Sequence, residues 1–264
     1  MAGLSESGAT PPEQELLEIA LQAARAAGDE LLGFWRRPLE VGSKSTPTDP
    51  VTEADMRAER AIREVIAERR PHDAILGEEG GASGDGELRW VVDPLDGTVN
   101  FLYGSAVFAV SIAVEDAAGA IAAVVLAPAT GELFSATRSG QPLCNGDPLT
   151  ASRCDSLDRA LVGTGFAYAP AVREAQARVL QRVLPAARDI RRAGAAALDM
   201  CACAAGRLDA YWERDVKPWD IAAGALICAR AGLDVRALDP APGLPAGILV
   251  APPALIRGLT ALVA

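Results

Sequence analysis

The run Trp90-Val91-Val92-Asp93-Pro94-Leu95-Asp96-Gly97-Thr98-Val99-Asn100-Phe101 passes from an apolar stretch into two carboxylates, a glycine and a hydroxyl. Val91 and Val92 favour a buried strand. Pro94 has no N–H to donate, so the sheet ladder is expected to stop there, with Asp93 projecting from the strand's carboxyl end. Asp96 follows one tight turn later, close enough to share an ion with Asp93. Gly97 lets the backbone approach a ligand closely, and the N–H groups from Gly97 onward read as the unpaired donors of a helix start, which attract anions. Carboxylates and an anion site repel one another's ligands. A hard divalent cation such as Mg²⁺ resolves the conflict, because it takes carboxylate, carbonyl and phosphate oxygens together. The run therefore predicts metal ions beside a phosphate.

Other segments extend the pattern. Upstream, Ile75-Leu76-Gly77-Glu78-Glu79-Gly80-Gly81 places an acid at a second strand end, and downstream stands Lys217-Pro218-Trp219-Asp220-Ile221-Ala222-Ala223-Gly224. Lys44 to Asp55, with Thr52 and Glu53, and Gly194-Ala195-Ala196-Ala197-Leu198-Asp199 complete a set of five. In this order, over most of the chain, they resemble the signatures of the inositol monophosphatase family, the Mg²⁺-dependent, lithium-sensitive sugar-phosphate phosphatases.

That resemblance implies an α/β (α+β) fold layered as an αβαβα sandwich, two or three Mg²⁺ ions, and direct attack of water on a phosphate monoester. It implies one ion on Glu78, Asp93 and the carbonyl of Leu95, a second on Asp93, Asp96 and Asp220, and a weaker third near Glu78. Thr98, backed by Glu78 and Asp55, is implied to orient the water, so no protein nucleophile is needed. Backbone N–H groups of Gly97 and Thr98 are implied to hold the phosphoryl oxygens, Gly194, Ala196 and Glu213 to meet the polyol, and Lys44 to offset charge near the ions. A homodimer is implied as well.

Each residue also has a plainer reading. Asp55 stands three residues after Thr52 and reads as its reciprocal capping partner. Asp220 lies in a first helical turn after Pro218, where an acid complements the helix dipole. Glu78 alone is a solvated acid in a Gly-rich loop, Glu79 an acid outside the ion-binding set, and Lys44 a surface lysine. Gly194 and Ala196 permit close helix packing. Asp209 and Glu213 end a strand whose alternation puts Leu208, Ala210 and Trp212 on one face, with Asp209 structural. Arg191 and Arg192 are a basic pair near the expected substrate mouth, and Lys217 leaves the polyol side open.

Composition bounds the alternatives. The chain has 264 residues, half of them hydrophobic, and a formal charge of −10. One large domain spanning 1–264 is expected, with residues 1–9 disordered and halves at about 10–150 and 151–264. No basic stripe exists to release counterions from nucleic acid. The most apolar stretch, Val107 to Pro128, is broken by Glu115 and Asp116, which argues against a membrane span, and the N-terminus has no signal-like pattern. Cytoplasmic placement is expected. Five scattered cysteines (Cys144, Cys154, Cys201, Cys203, Cys228) read as buried thiols rather than a disulfide framework, and Cys201 and Cys203 point to different helix faces. The lone histidine, His72, sits in a turn, which removes His-rich zinc sites and Ser-His-Asp triads.

Small-molecule phosphate monoesters are thus the expected substrates. Val99-Asn100-Phe101 after Asp-Gly-Thr resembles the inositol monophosphatase branch rather than the adenosine-bisphosphate phosphatases, which carry Lys-Glu there. Histidinol phosphate, fructose bisphosphate and a nucleotide 3′-phosphate stay open, as does a non-catalytic binding protein on the same fold.

The elements that must carry these residues follow from pattern. Thr10-Pro11-Pro12-Glu13 opens a helix through Leu16, Ile19, Ala23, Ala27, Leu31 and Phe34, and a second runs from Thr52 to about Arg69. Strands are expected at Ala74–Leu76, Arg89–Asp93, Ala106–Val114, Ala120–Ala127 and Glu132–Thr137, a β-meander. Further strands are expected at Ala160–Thr164, Asp189–Arg192, Leu208–Glu213, Val235–Leu238 and Gly247–Val250. Helices are expected at Val172–Leu184, Ala195–Ala205, Trp219–Ala231 and after Pro252-Pro253.

Overall fold

A computed structural model describes residues 13–37, 41–43 and 50–264. The expected disorder of residues 1–9, the capping by Thr10 and the placement of Lys44 lie outside the described residues. Helix α1 (Glu13–Phe34) buries Leu16, Ile19, Ala20, Ala23, Ala27 and Leu31, the stripe its spacing predicts. Helix α2 (Glu53–Arg69) follows two short paired strands, β1 (Val41–Ser43) and β2 (Pro50–Thr52). Its buried stripe, Ala54, Ala58, Ile62 and Ile66, also contains two acids, Asp55 and Glu59.

The large sheet takes β3 (Ala74–Gly77), β4 (Gly81–Ser83), β5 (Arg89–Asp96), β6 (Ala109–Asp116), β7 (Gly119–Ala127) and β8 (Glu132–Thr137), then the short β9 (Leu143–Cys144) and β10 (Asp147–Pro148). Its order is β10-β9-β8-β7-β6-β5-β3-β4, so the expected meander holds from β5 to β10, whereas β3, expected as its first strand, pairs parallel with β5 because β4 intervenes and turns the chain back. Helix α3 (Thr98–Leu102) leaves β5 directly. The smaller sheet has the order β12-β11-β13-β15-β14, from β11 (Leu161–Thr164), β12 (Asp189–Arg191), β13 (Ala210–Arg214), β14 (Asp234–Leu238) and β15 (Gly247–Ala251). Helices α4 (Pro170–Val183), α5 (Ala196–Ala204), α6 (Pro218–Arg230) and α7 (Pro253–Val263) complete the chain.

Three apolar clusters show how the layers stack. The first joins α1 and α2 to one face of the large sheet through Trp90, Val92, Ile112 and Val124. The second fills the space between the sheets with α5 and α6, using Ala109, Ala113, Val125, Met200, Tyr211 and Ile227. The third covers the outer face of the small sheet with α4 and α7, through Val162, Trp212, Leu249 and Leu259. The layers therefore alternate αβαβα, as expected.

Two further expectations need correction. The ladder does not stop at Pro94: β5 runs on to Asp96, pairing Asp93 with Ser111 and Asp96 with Ala109, across an irregular register. Three steps on β5 face two on β6, so one residue bulges, and the missing Pro94 N–H is tolerated there. Leu208 does not share a face with Ala210 and Trp212. It precedes β13 and packs in the cluster of Tyr211, while Ala210 and Trp212 face α4 and α7.

Candidate functional site

The bulge in β5 creates the site. In a regular strand, residues three apart point to opposite faces; one extra residue returns Asp93 and Asp96 to the same face, the one that meets α5 and α6. Asp93 is 2% exposed and its Oδ1 accepts the Leu95 N–H at 2.9 Å. Asp96 accepts the Ala196 N–H at 3.1 Å and the Ala197 N–H at 2.8 Å, so it caps the start of α5. Asp220 is the third residue of α6 and its Oδ2 accepts the Lys217 N–H at 2.6 Å, the helix-terminal reading of its position. Ser111, opposite Asp93 in the ladder, donates to the Trp219 carbonyl at 3.1 Å and so ties α6 beside it.

Gly97 caps α3 with φ +91, where a side chain would also press on the carbonyls of Val107 and Gly194. Thr98, 7% exposed, has its hydroxyl 3.3 Å from Asp55 Oδ1 and 3.1 Å from the Leu95 carbonyl. Both readings of Asp55 hold at once. Its Oδ2 accepts the Thr52 N–H at 2.8 Å and the Thr52 hydroxyl at 2.5 Å, closing the capping box, while Oδ1 faces Thr98. Glu78 follows β3 at the turn into β4.

One cleft gathers these groups. Glu78, Asp93, Leu95, Asp96, Gly97 and Thr98 line it from the large-sheet side; Gly194, Ala196, Glu213 and Asp220 line it from the other. Asp55 lies beneath Thr98 rather than in the lining. Arg192 lines the cleft too, whereas Arg191 turns away to Asp189. Glu213 accepts the Tyr211 hydroxyl, and Asp209 accepts from Ser152 and from the Leu161 N–H at 2.7 Å, a structural role. Glu79 stays outside the lining. Cys201, Cys203 and Cys228 are buried as expected, but Cys144 and Cys154 are only half-buried.

The acids load one another. Burial raises Asp93 well above the usual carboxylate range, and the charges of Glu78, Asp96 and Asp220 raise it further. Asp96 is raised by burial and by Asp220, against the lowering of its two backbone bonds. Burial lifts Asp220 to about 7, and Asp199, just behind on α5, to about 8. Among the described residues, no three His, Cys, Asp or Glu side chains close on one point at coordinating distance; the acids line the cleft walls.

Sequence reasoning missed three supports. Asn100 donates to the Val107 carbonyl at 2.8 Å and the Ala193 carbonyl at 2.9 Å, tying α3 to the Gly194 loop. Phe166 to Ala169 line the cleft mouth. Glu59 holds the turn after Glu78 through two backbone N–H groups. Its signal was present: it stands four residues after Asp55, an acid on a buried helix stripe.

Five alternating layers with an acid-lined cleft at their strand ends define a layered α/β enzyme. A sequence profile described as the inositol monophosphatase family matches residues 13–261. An inositol-1-monophosphatase of Mycobacterium leprae is 49% identical over 74% of this chain and 71% of its own. A Pseudomonas aeruginosa protein named Nus factor SuhB is 44% identical over 83% of this chain and 84% of its own. The crystal structure of an extragenic suppressor protein suhB from Bartonella henselae superposes with a TM-score of 0.87 at 32% identity, covering 94% of this chain and 98% of that one. The chain belongs to the inositol monophosphatase family, and it is a phosphatase.

Proposed function

We propose that the protein hydrolyses inositol monophosphates, with Mg²⁺ as its cofactor. The observation that carries this reading is the convergence of Glu78, Asp93, Asp96 and Asp220 on the cleft where Gly97 and Thr98 begin a helix. The donor set fits the ion. All four side chains are carboxylates with the Leu95 carbonyl beside them, hard oxygen donors without thiol or imidazole, and their mutual repulsion is what a divalent cation relieves. Glu78, Asp93 and the Leu95 carbonyl would hold one ion, and Asp93, Asp96 and Asp220 a second. Bound there, Mg²⁺ supplies Lewis-acid polarisation of the phosphoryl group and acidifies water.

The chain's own residues do the rest. With its proton turned to Asp55 or the Leu95 carbonyl, the Thr98 oxygen keeps lone pairs free to accept a hydrogen bond from the attacking water. The Gly97 and Thr98 N–H groups hold phosphoryl oxygens as charge builds. Glu213, with one oxygen on Tyr211, offers the other to a polyol hydroxyl, and the absent Cβ at Gly194 leaves room for the Arg192 guanidinium beside it.

Phosphate release from inositol 1-phosphate, histidinol phosphate, fructose bisphosphate and a nucleotide 3′-phosphate, with Mg²⁺ and with chelator, tests the reading. Inositol phosphate is expected to be the best substrate, with chelator abolishing turnover and lithium inhibiting. Equal or better rates on another of the four would overturn the substrate. One relative bears the name Nus factor SuhB, but the complete acid set here favours catalysis. Cytoplasmic placement and a homodimer belong to the same proposal on the family resemblance. No helix among the described residues is long and apolar enough to cross a membrane.

A further inference from the structure

Glu59 is 3% exposed, and the mechanism gives it no task. Its carboxylate reaches across to the turn between β3 and β4, where Oε2 accepts the Glu79 N–H at 2.7 Å and Oε1 the Gly80 N–H at 2.8 Å. Arg63, one helical turn further, completes the clasp. It donates Nε to Glu59 Oε1 at 2.7 Å, Nη2 to the Gly81 carbonyl at 2.7 Å and Nη1 to Ser83 Oγ at 2.9 Å. Glycine admits this approach: a Cβ on Gly80 would stand 2.7 Å from Glu59 Oε1 and 2.9 Å from Arg63 Nη2.

The turn so held carries Glu78, which lines the cleft with Asp93, Asp96 and Asp220. Asp55 and Glu59 are four residues apart and share one face of α2. One anchors Thr98 and the other anchors the turn of Glu78. We propose that Glu59, backed by Arg63, is a positioning residue that holds Glu78 in the metal-binding cleft, so that α2 fixes Glu78 and Thr98 from a single rigid face. This rests on the Mg²⁺ reading above. Charge-assisted bonds to backbone N–H are among the stronger ones, and groups that orient ligands in this way alter metal affinity about 10–100-fold.

Mg²⁺ titrated calorimetrically into the full-length protein gives a readout independent of turnover. Glu59→Gln is expected to weaken binding at the tightest site about 10-fold with an unchanged circular dichroism spectrum. Gly80→Ala removes no polar group but pushes the carboxylate back, and should shift affinity in the same direction. Glu78→Gln is the reference. If it loses affinity while folded Glu59→Gln and Gly80→Ala bind like the wild type, the positioning role is overturned and the metal reading stands. If Glu78→Gln itself binds like the wild type, the metal reading fails and takes the proposal with it. Should Glu59→Gln not fold, Gly80→Ala decides alone.

Discussion

The two walls of the cleft are held by different means. On the large-sheet side the acids are tied to backbone: Asp93 to Leu95, Asp96 to Ala196 and Ala197, and the turn of Glu78 to Glu59. On the other side only Asp220 is tied to backbone, through the Lys217 N–H; Glu213 leans on one tyrosine hydroxyl, and Arg192 and Lys217 stand exposed in loops, with Lys217 drawn to Asp215. The first wall concentrates negative charge. The second adds Asp220 to that cluster, and beyond it offers one half-buried acid, Glu213, and side chains free to differ. Chemistry common to every phosphate ester belongs with the acid cluster and the choice of alcohol on the adaptable wall.

The largest effect should come from Asp93→Asn, with kcat falling at least about 10³-fold, because several kcal/mol of charge stabilisation goes with the carboxylate. Thermal unfolding should be unchanged or slightly higher, since repulsion with Glu78, Asp96 and Asp220 is relieved. Asp96→Ala should instead cost activity together with about 1–3 kcal/mol of stability, because two buried N–H groups of α5 lose their acceptor. Kinetics and calorimetry on both variants would separate them. Equal stability losses would break the distinction between a ligand and a cap.

Thr98→Val keeps the shape of the α3 start but removes the hydroxyl that bridges Asp55 and Leu95, and kcat should fall about 10²-fold with little change in KM. On the other wall, Glu213→Gln should change the ratio of kcat/KM for inositol phosphate over a small aryl phosphate by about 10-fold. An unchanged ratio would move Glu213 out of the wall that chooses the alcohol.

The same contrast shows in what the sequence makes legible. Asp93, Asp96, Gly97 and Thr98 lie within six consecutive residues, so their proximity is covalent and the pattern exposes it. Helix α2 is legible to the residue, because Thr52 and Asp55 form a local capping box. The bulge was hidden, since the register between β5 and β6 is set by Ala109 and Ser111 in a distant strand, and Pro94 alone reads as a stop. The short pairs β4 and β9–β10 were hidden for a related reason: strands of two or three residues carry no period. Arg192 was expected at the substrate mouth as one of a basic pair, but Phe166 to Ala169 reach the cleft only through the packing of the small sheet, which nothing local announces.

The smallest effect concerns pH, and it separates the walls without any substrate. Asp220 at about 7 and Asp199 at about 8 are raised, as are Asp93 and Asp96, so the folded protein holds protons that the unfolded chain has released above about pH 4. Stability from these groups is therefore greatest at low pH and declines as pH rises toward 7 and 8, levelling once the folded-state acids ionise. Asp116, lowered to about 2 by Arg138, acts in the opposite sense, but only below about pH 4. In chelator, the melting temperature should fall between pH 5 and 7 by about 2–4 °C per proton and pH unit. Saturating Mg²⁺ should flatten the share due to Asp93, Asp96 and Asp220, leaving a weaker slope from Asp199, which faces Glu213 and Arg192 rather than the acid-lined wall. Asp199→Asn should remove that remainder. Calorimetry at pH 5, 6, 7 and 8 checks both steps, and a metal-free melting temperature that climbs over this range would refute the charge-loaded wall.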